Sequence, residues 1–287
     1  MYPRPFEYLR AESVEEALDL KSQTGGRFIA GGHSLLPMMK IRMTSPETLV
    51  DIGRLDELRG ISANGAFTIS ALTTHTMVAS EGAEGFPAAL KEAAGMIGDP
   101  QVRNRGTVGG NVAHADPASD LPTVFAALGA TMTATSKGGS TRDIAATDFF
   151  TGLFESALNE DELLTAVKVG AEGGSRGSAY AKLFNPASRY AVVGVCAVVD
   201  VDADGGCTSC TVAVGGLTPN ATVLGSVASS LLGSQITTAS AESAAQSAVD
   251  EVGDHVMGDV YAGVEYRQNM LPVFVARALT AAASRAG

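Results

Sequence analysis

A chain of 287 residues, 45% hydrophobic and 18% charged, has the make-up of a folded protein and enough length for two domains. Its formal net charge of −11 disfavours nucleic acid and anionic membrane surfaces as partners, so any anionic ligand has to be held by local dipoles. Cys196, Cys207 and Cys210 are too few and too sparse for a secreted disulfide scaffold and suit a reducing cytoplasm; neither a signal peptide nor a run of about 18 apolar residues is visible.

In chain order, Ser13 followed by Glu16 predicts a capped helix over 13–20. A short strand, Phe28 to Ala30, feeds the loop Ala30-Gly31-Gly32-His33-Ser34, and a helix resumes at Ser34 with Pro37 tolerated in its first turn. Strands are expected at 48–52 and 67–71, and a helix over 85–98. A second glycine loop, 106–111, contains Thr107-Val108-Gly109-Gly110-Asn111 and leads to a buried helix over 121–128, capped by Ser119 or Asp120 with Pro122 in its first turn. Residues 130–136 and the stretch around Val167 are strand-like, and the Gly-rich stretch 171–177 has linker composition. Beyond it, 192–201 and 210–214 read as antiparallel strands joined through 202–206, residues 237–252 as one Ala/Ser-rich helix, and 264–285 as a helix that Pro272 should kink. These features divide the chain at about residue 172.

The two glycine segments carry the most chemistry. A single Gly-Gly after a strand is usually a tight turn, but two that each open a helix suggest paired nests of backbone N–H groups around one anionic cofactor. Neither fits Gly-x-Gly-x-x-Gly or Gly-x-x-x-x-Gly-Lys-Ser/Thr, which leaves a dinucleotide site of another type. Asp116 and Asp120 flank a proline; a helix cap and a solvated turn account for them as well as ligand contacts from Asn111 and the carboxylates do. Cys207-Thr208-Ser209-Cys210 has metal-like spacing without a second pair or nearby histidines, so idle thiols are expected. His33, His75, His114 and His255 are scattered, and Arg103 and Arg105 are accounted for as well by solvation as by phosphate compensation or a salt bridge to a partner subunit. No catalytic acid/base set or metal site is predicted.

Residues 30–37 (Ala-Gly-Gly-His-Ser-Leu-Leu-Pro), 102–111 (Val-Arg-Asn-Arg-Gly-Thr-Val-Gly-Gly-Asn) and 116–122 (Asp-Pro-Ala-Ser-Asp-Leu-Pro) occur in an order that resembles the FAD-binding medium subunits of molybdenum hydroxylases. Tyr180-Ala181-Lys182, Ser188-Arg189-Tyr190-Ala191 and Glu265-Tyr266-Arg267 extend the resemblance over nearly the whole chain, and its motifs are most similar to the carbon monoxide dehydrogenase branch. The resemblance implies an α+β fold: a two-subdomain FAD-binding domain of the vanillyl-alcohol-oxidase/PCMH type over 1–172 (about 1–57 and 58–172), then a C-terminal antiparallel-sheet and helix domain over 173–287. It implies FAD contacts from Ala30, Gly31, Gly32, His33, Ser34 and Leu35, and from Thr107, Val108, Gly109, Gly110 and Asn111. Asp120, Leu164, Lys182 and Tyr190 complete the implied set. It also implies an electron relay: [2Fe-2S] clusters on a small subunit and a molybdenum cofactor on a large one, in a heterohexamer of two heterotrimers that delivers electrons to a quinone or other acceptor. A cytoplasmic complex, with peripheral association to the inner membrane as an option, follows from the same resemblance. An N-heterocycle hydroxylase of nicotine or purine type and a stand-alone FAD oxidoreductase are the alternatives. Two departures stand out: Arg189 replaces the aspartate frequent before the family's aromatic residue, and Pro272 falls in the last helix.

Overall fold

Three principal sheets follow one another along the chain, with a small ribbon inserted before the last strand of the second, in a computed structural model that describes residues 2–287. The first sheet is built from β1 (Glu7–Arg10), α1 (Val14–Thr24), β2 (Arg27–Ile29), α2 (Leu35–Lys40) and β3 (Thr48–Asp51), with the parallel order β1-β3-β2. Parallel neighbours need crossovers, and the two helices supply them. Ser13 caps α1 by accepting the Glu16 N–H at 3.1 Å, while the Glu16 carboxylate reaches the Glu12 N–H at 2.6 Å instead of that of the cap residue. Ala17 and Leu18 then pack with Val50, Ile52 and Leu72 in a small apolar cluster.

A mixed α and β region follows: β4 (Ile61–Ala63), β5 (Ala66–Ser70), α3 (His75–Ala79), α4 (Ala88–Met96), α5 (Pro100–Arg105), α6 (Val108–His114) and α7 (Asp120–Leu128). It continues through β6 (Thr131–Ser136), β7 (Thr141–Ala145), α8 (Ala146–Phe149), the ribbon β8 (Phe150–Gly152) and β9 (Glu155–Ser156), and β10 (Glu162–Gly170). The sheet is antiparallel in the order β4-β5-β10-β6-β7, so the helices from α3 to α7 are an excursion between two of its strands. Gly109 and Gly110 lie inside the first turn of α6, not in a loop before it, because Thr107 already caps that helix through the Gly110 N–H at 3.2 Å.

The last region comprises β11 (Arg176–Phe184), β12 (Ala191–Val201), β13 (Cys207–Gly215), β14 (Thr222–Val223), α9 (Gly225–Ser229), α10 (Thr238–Ala245), α11 (Ser247–Val252) and α12 (Val264–Ala283). Its antiparallel sheet runs β11-β12-β13-β14. Residues 191–199 are all buried because α7 covers one face of β12 and α12 the other. Cys196 and Val198 join the core around α7, while Val193, Val195 and Ala197 join the core around α12. Three expectations change here. The 171–177 linker is shorter, since Arg176 already belongs to β11. The 237–252 helix is two helices meeting at Gln246. Pro272 does not interrupt α12, because Leu271, Phe274, Val275, Ala278 and Leu279 on both sides of it are buried and hold the helical path.

Candidate functional site

A cleft of about 480 Å³ forms where the segment after β2 meets the starts of α6 and α7, the start of β10 and the turn before β12. Its size falls in the range of cofactor pockets. Ala30, Gly31, Gly32, His33, Ser34 and Leu35 line it, as do Thr107, Gly109, Gly110, Asn111, Asp120, Leu164 and Tyr190. Two predicted residues do not. Val108 is fully buried in the core, and Lys182 stands behind the wall with its ammonium on Asp120.

The first glycine segment turns sharply at Gly32, whose φ of 74° is left-handed, and approaches another backbone at Gly31, where a Cβ would lie 2.1 Å from the Arg105 carbonyl oxygen. In this turn the N–H groups of Gly31, Gly32, His33, Ser34 and Leu35 donate to no acceptor among the described residues. Ser34 precedes α2 without a side-chain capping bond. Such a row of unclaimed amides on a cleft wall is suited to phosphate oxygens.

The second segment is different, and the expectation of two equivalent anion nests is corrected here. Val108 donates to Thr73 O at 2.9 Å, Gly109 to Ala71 O at 2.8 Å, Gly110 to Thr107 Oγ1, and Asn111 to Thr107 O at 3.0 Å. Of the amides from 107 to 111, that of Thr107 alone finds no described acceptor. Gly109 is required for packing, since a Cβ there would lie 2.5 Å from the Ala71 Cβ. Gly110 is exposed and lines the cleft, and a Cβ there would lie 2.8 Å from Thr107 Oγ1, the atom that caps the helix. Asn111 adds one polar group: its Nδ2 donates to Ser119 Oγ at 3.1 Å, and its buried Oδ1 has no partner.

Asp120 opens α7 and is almost wholly buried. Its carboxylate accepts from Tyr180 Oη at 2.6 Å and from Lys182 Nζ at 2.8 Å. Burial pushes the Asp120 carboxyl up and the Lys182 ammonium down, and each group opposes the shift of the other. Tyr190 presents a half-exposed ring, yet its hydroxyl is shielded by the wall and pushed up to about 12, so it remains protonated. Leu164 is buried at a register shift in β10. The adjoining wall is braced by Arg142, which binds Glu162 through Nε–Oε1 at 2.6 Å and Nη2–Oε2 at 2.7 Å.

The structure also brings in residues that the sequence had not selected. Asn159 and Leu163 line the cleft without any local motif to mark them, and Gly106 and Ser119, which lie inside motifs but were not picked as contacts, line it too. His75, one of the scattered histidines, is buried against Gly106 with its Nδ1 unpartnered. Burial first, then His33 and Arg103, lower its pKa to about 4, so it is neutral near pH 7.

Residues 4–171 match the family described as FAD binding domain in molybdopterin dehydrogenase, and residues 178–282 match the CO dehydrogenase flavoprotein C-terminal domain. The carbon monoxide dehydrogenase medium chain of Hydrogenophaga pseudoflava is 37% identical over 291 aligned positions, covering 99% of each chain. The glyceraldehyde dehydrogenase medium chain of Sulfolobus acidocaldarius is 43% identical over 199 positions, covering 68% of this chain and 70% of its relative. A solved structure of carbon monoxide dehydrogenase from Hydrogenophaga pseudoflava superposes with a TM-score of 0.93 at 35% identity, covering 100% of both chains. Among the described residues no helix is long and apolar enough to cross a membrane. With both of its regions and its full length accounted for in this way, the chain belongs to the family of FAD-binding medium subunits of molybdenum hydroxylases.

Proposed function

We propose that this chain is the flavin relay of a carbon monoxide dehydrogenase, taking electrons from [2Fe-2S] clusters on a small subunit that drain a molybdenum centre on a large one. The observation that carries the reading is the row of unclaimed amides at 31–35 on the wall of a cleft of about 480 Å³. That donor set fits a diphosphate, and the orphaned Asn111 Oδ1 fits a further polar group of the cofactor. Bound FAD would supply a centre that exchanges electrons both singly and in pairs. The full-length likeness to a carbon monoxide dehydrogenase medium chain supports carbon monoxide as the substrate of the large subunit.

Residues 30–35 would hold the diphosphate, while Thr107, Gly109, Gly110 and Asn111 would form the facing wall. Asp120 would present a fixed carboxyl group, held by Lys182 and oriented by Tyr180. Leu164 would pack on an apolar part of the cofactor, and Tyr190 would offer a ring face with a protonated hydroxyl. In this reading 1–172 is the FAD-binding unit and 173–287 the C-terminal unit. The assembly is a heterohexamer of two heterotrimers, and the acceptor is a quinone.

The test is the visible spectrum of the chain alone and co-purified with its partner subunits. A flavin in the complex that bleaches under carbon monoxide and is reoxidised by a quinone is the expected result. A complex without flavin, or an isolated chain that oxidises a small substrate by itself, would overturn the relay. Bleaching by glyceraldehyde or an N-heterocycle instead of carbon monoxide would overturn the substrate alone.

A further inference from the structure

The turn from Asn185 to Tyr190 holds one cation at the edge of the cleft. Asn185 Oδ1 accepts the N–H groups of Ala187 at 2.9 Å and Ser188 at 3.1 Å. The Asn185 carbonyl accepts the Arg189 N–H at 2.8 Å, and the Asn185 N–H donates to Tyr190 O at 2.9 Å. This closure keeps Arg189 at φ 61°, a left-handed conformation that costs a non-glycine residue energy and persists only where its surroundings enforce it. The guanidinium carbon stands 4.8 Å from the Phe184 ring centroid. Its Nε is shielded from solvent without an acceptor, and no described residue pairs with the guanidinium through a hydrogen bond or salt bridge. The nearby Asp120 carboxylate is already engaged by Tyr180 and Lys182. A partly desolvated cation with no bonded counter-ion, its nearby carboxylate already shared with another cation, is an arrangement completed by an electron-rich group from outside the chain.

We propose that Arg189 is a tuning residue whose fixed charge makes this cleft hold reduced flavin more tightly than oxidised flavin, raising the potential of the bound cofactor; the inference rests on FAD occupying the cleft. Uptake of two electrons and one proton adds one negative charge to the flavin, and a nearby unpaired cation favours the more negative form. Tyr190, the adjoining exposed aromatic on the same wall, offers a flat ring system a face to lie against. The unclaimed amides at 31–35 already provide for the diphosphate.

Reductive titration of the assembled complex with dithionite, following the flavin difference absorbance, tests this with Arg189→Asn and Arg189→Lys. Asparagine removes the charge and tolerates the left-handed backbone, and lysine keeps the charge. Arg189→Asn is expected to lose about ten-fold of the preference for reduced over oxidised flavin, which is a fall of roughly 30 mV for a two-electron couple. Arg189→Lys should recover most of it. Unchanged potential in an Arg189→Asn complex with full flavin content would overturn the proposal. So would equal weakening of both redox forms, which would assign Arg189 to diphosphate binding. A wild-type complex devoid of FAD would instead remove the functional reading on which the inference rests, so the two failures are distinguishable. An Arg189→Asn complex that melts like the wild type but has a lowered potential separates tuning from a structural role.

Discussion

Between Gly31 and Leu35 the backbone amides have no protein acceptor, whereas between Val108 and Asn111 the same groups are consumed by Ala71, Thr73 and Thr107. Both segments carry a Gly-Gly pair, the first before a short helix and the second within the first turn of one, and both line one cleft. The difference lies in what each is docked against. The first passes so close to the Arg105 carbonyl at Gly31 that no side chain fits there, and its N–H groups meet no acceptor among the described residues. The second lies along the residues just after β5, whose carbonyls take the Val108 and Gly109 donors, while Thr107 takes those of Gly110 and Asn111. A glycine pair therefore marks a close approach, and the neighbour decides whether that approach is to a ligand or to the protein itself.

The largest effect tests the wall to which the second segment belongs. Lys182→Met would leave the buried Asp120 carboxylate without its cation, costing about 3–5 kcal/mol of stability in denaturant unfolding. Asp120→Asn combined with Lys182→Met should recover most of that loss. If the single variant is as stable as wild type, the pair is not what fixes this wall.

His75, packed beneath the junction of the two segments, predicts a pH dependence. Its folded pKa of about 4 lies below its ordinary 6.5, so between these values the unfolded chain binds more protons than the folded one. Stability should fall as pH drops from about 6.5 toward 4, by at most about 3 kcal/mol from this group. Melting curves of His75→Gln across that window should be flatter than those of the wild type; an unchanged slope would assign the acid sensitivity elsewhere.

Alanine at Gly109 would drive a Cβ into Ala71 and should cost about 1–3 kcal/mol while the folded fraction keeps its full flavin content. Alanine at Gly31 should cost a similar amount and also lower flavin content, because it displaces the turn that carries the free amides. Equal flavin loss in both variants at matched folded fraction would erase the distinction between the segments.

The smallest pair of effects concerns the helix starts. Thr107→Ala removes the acceptor of the Gly110 N–H and should cost about 1 kcal/mol in thermal or chemical unfolding. Ser34→Ala removes no capping bond, so stability should hold and any effect should appear in flavin affinity. A stability loss at Ser34 as large as at Thr107 would show that both residues act as ordinary caps.

Much of this molecule is legible in its residues. Ser13 marks the start of α1, the apolar run at 121–128 gives a buried helix, and the order of motifs from Ala30 to Arg267 identifies the family, because caps, periodicity and motif order are local or additive along the chain. Other features depend on partners far away in sequence. That β12 is buried on both faces follows from α7 and α12 meeting it from opposite sides, and α12 passes through Pro272 because flanking apolar residues are packed. His75 carries no motif, Arg189 stands out only as a departure within one, and their unpartnered nitrogens exist only because the surrounding segments close over them. The chain by itself thus determined its family, its principal helices and strands, and the glycines that mark close approach. Only the tertiary structure decided which amides remain free for a ligand, since a hydrogen bond is claimed by whichever acceptor the fold brings within reach.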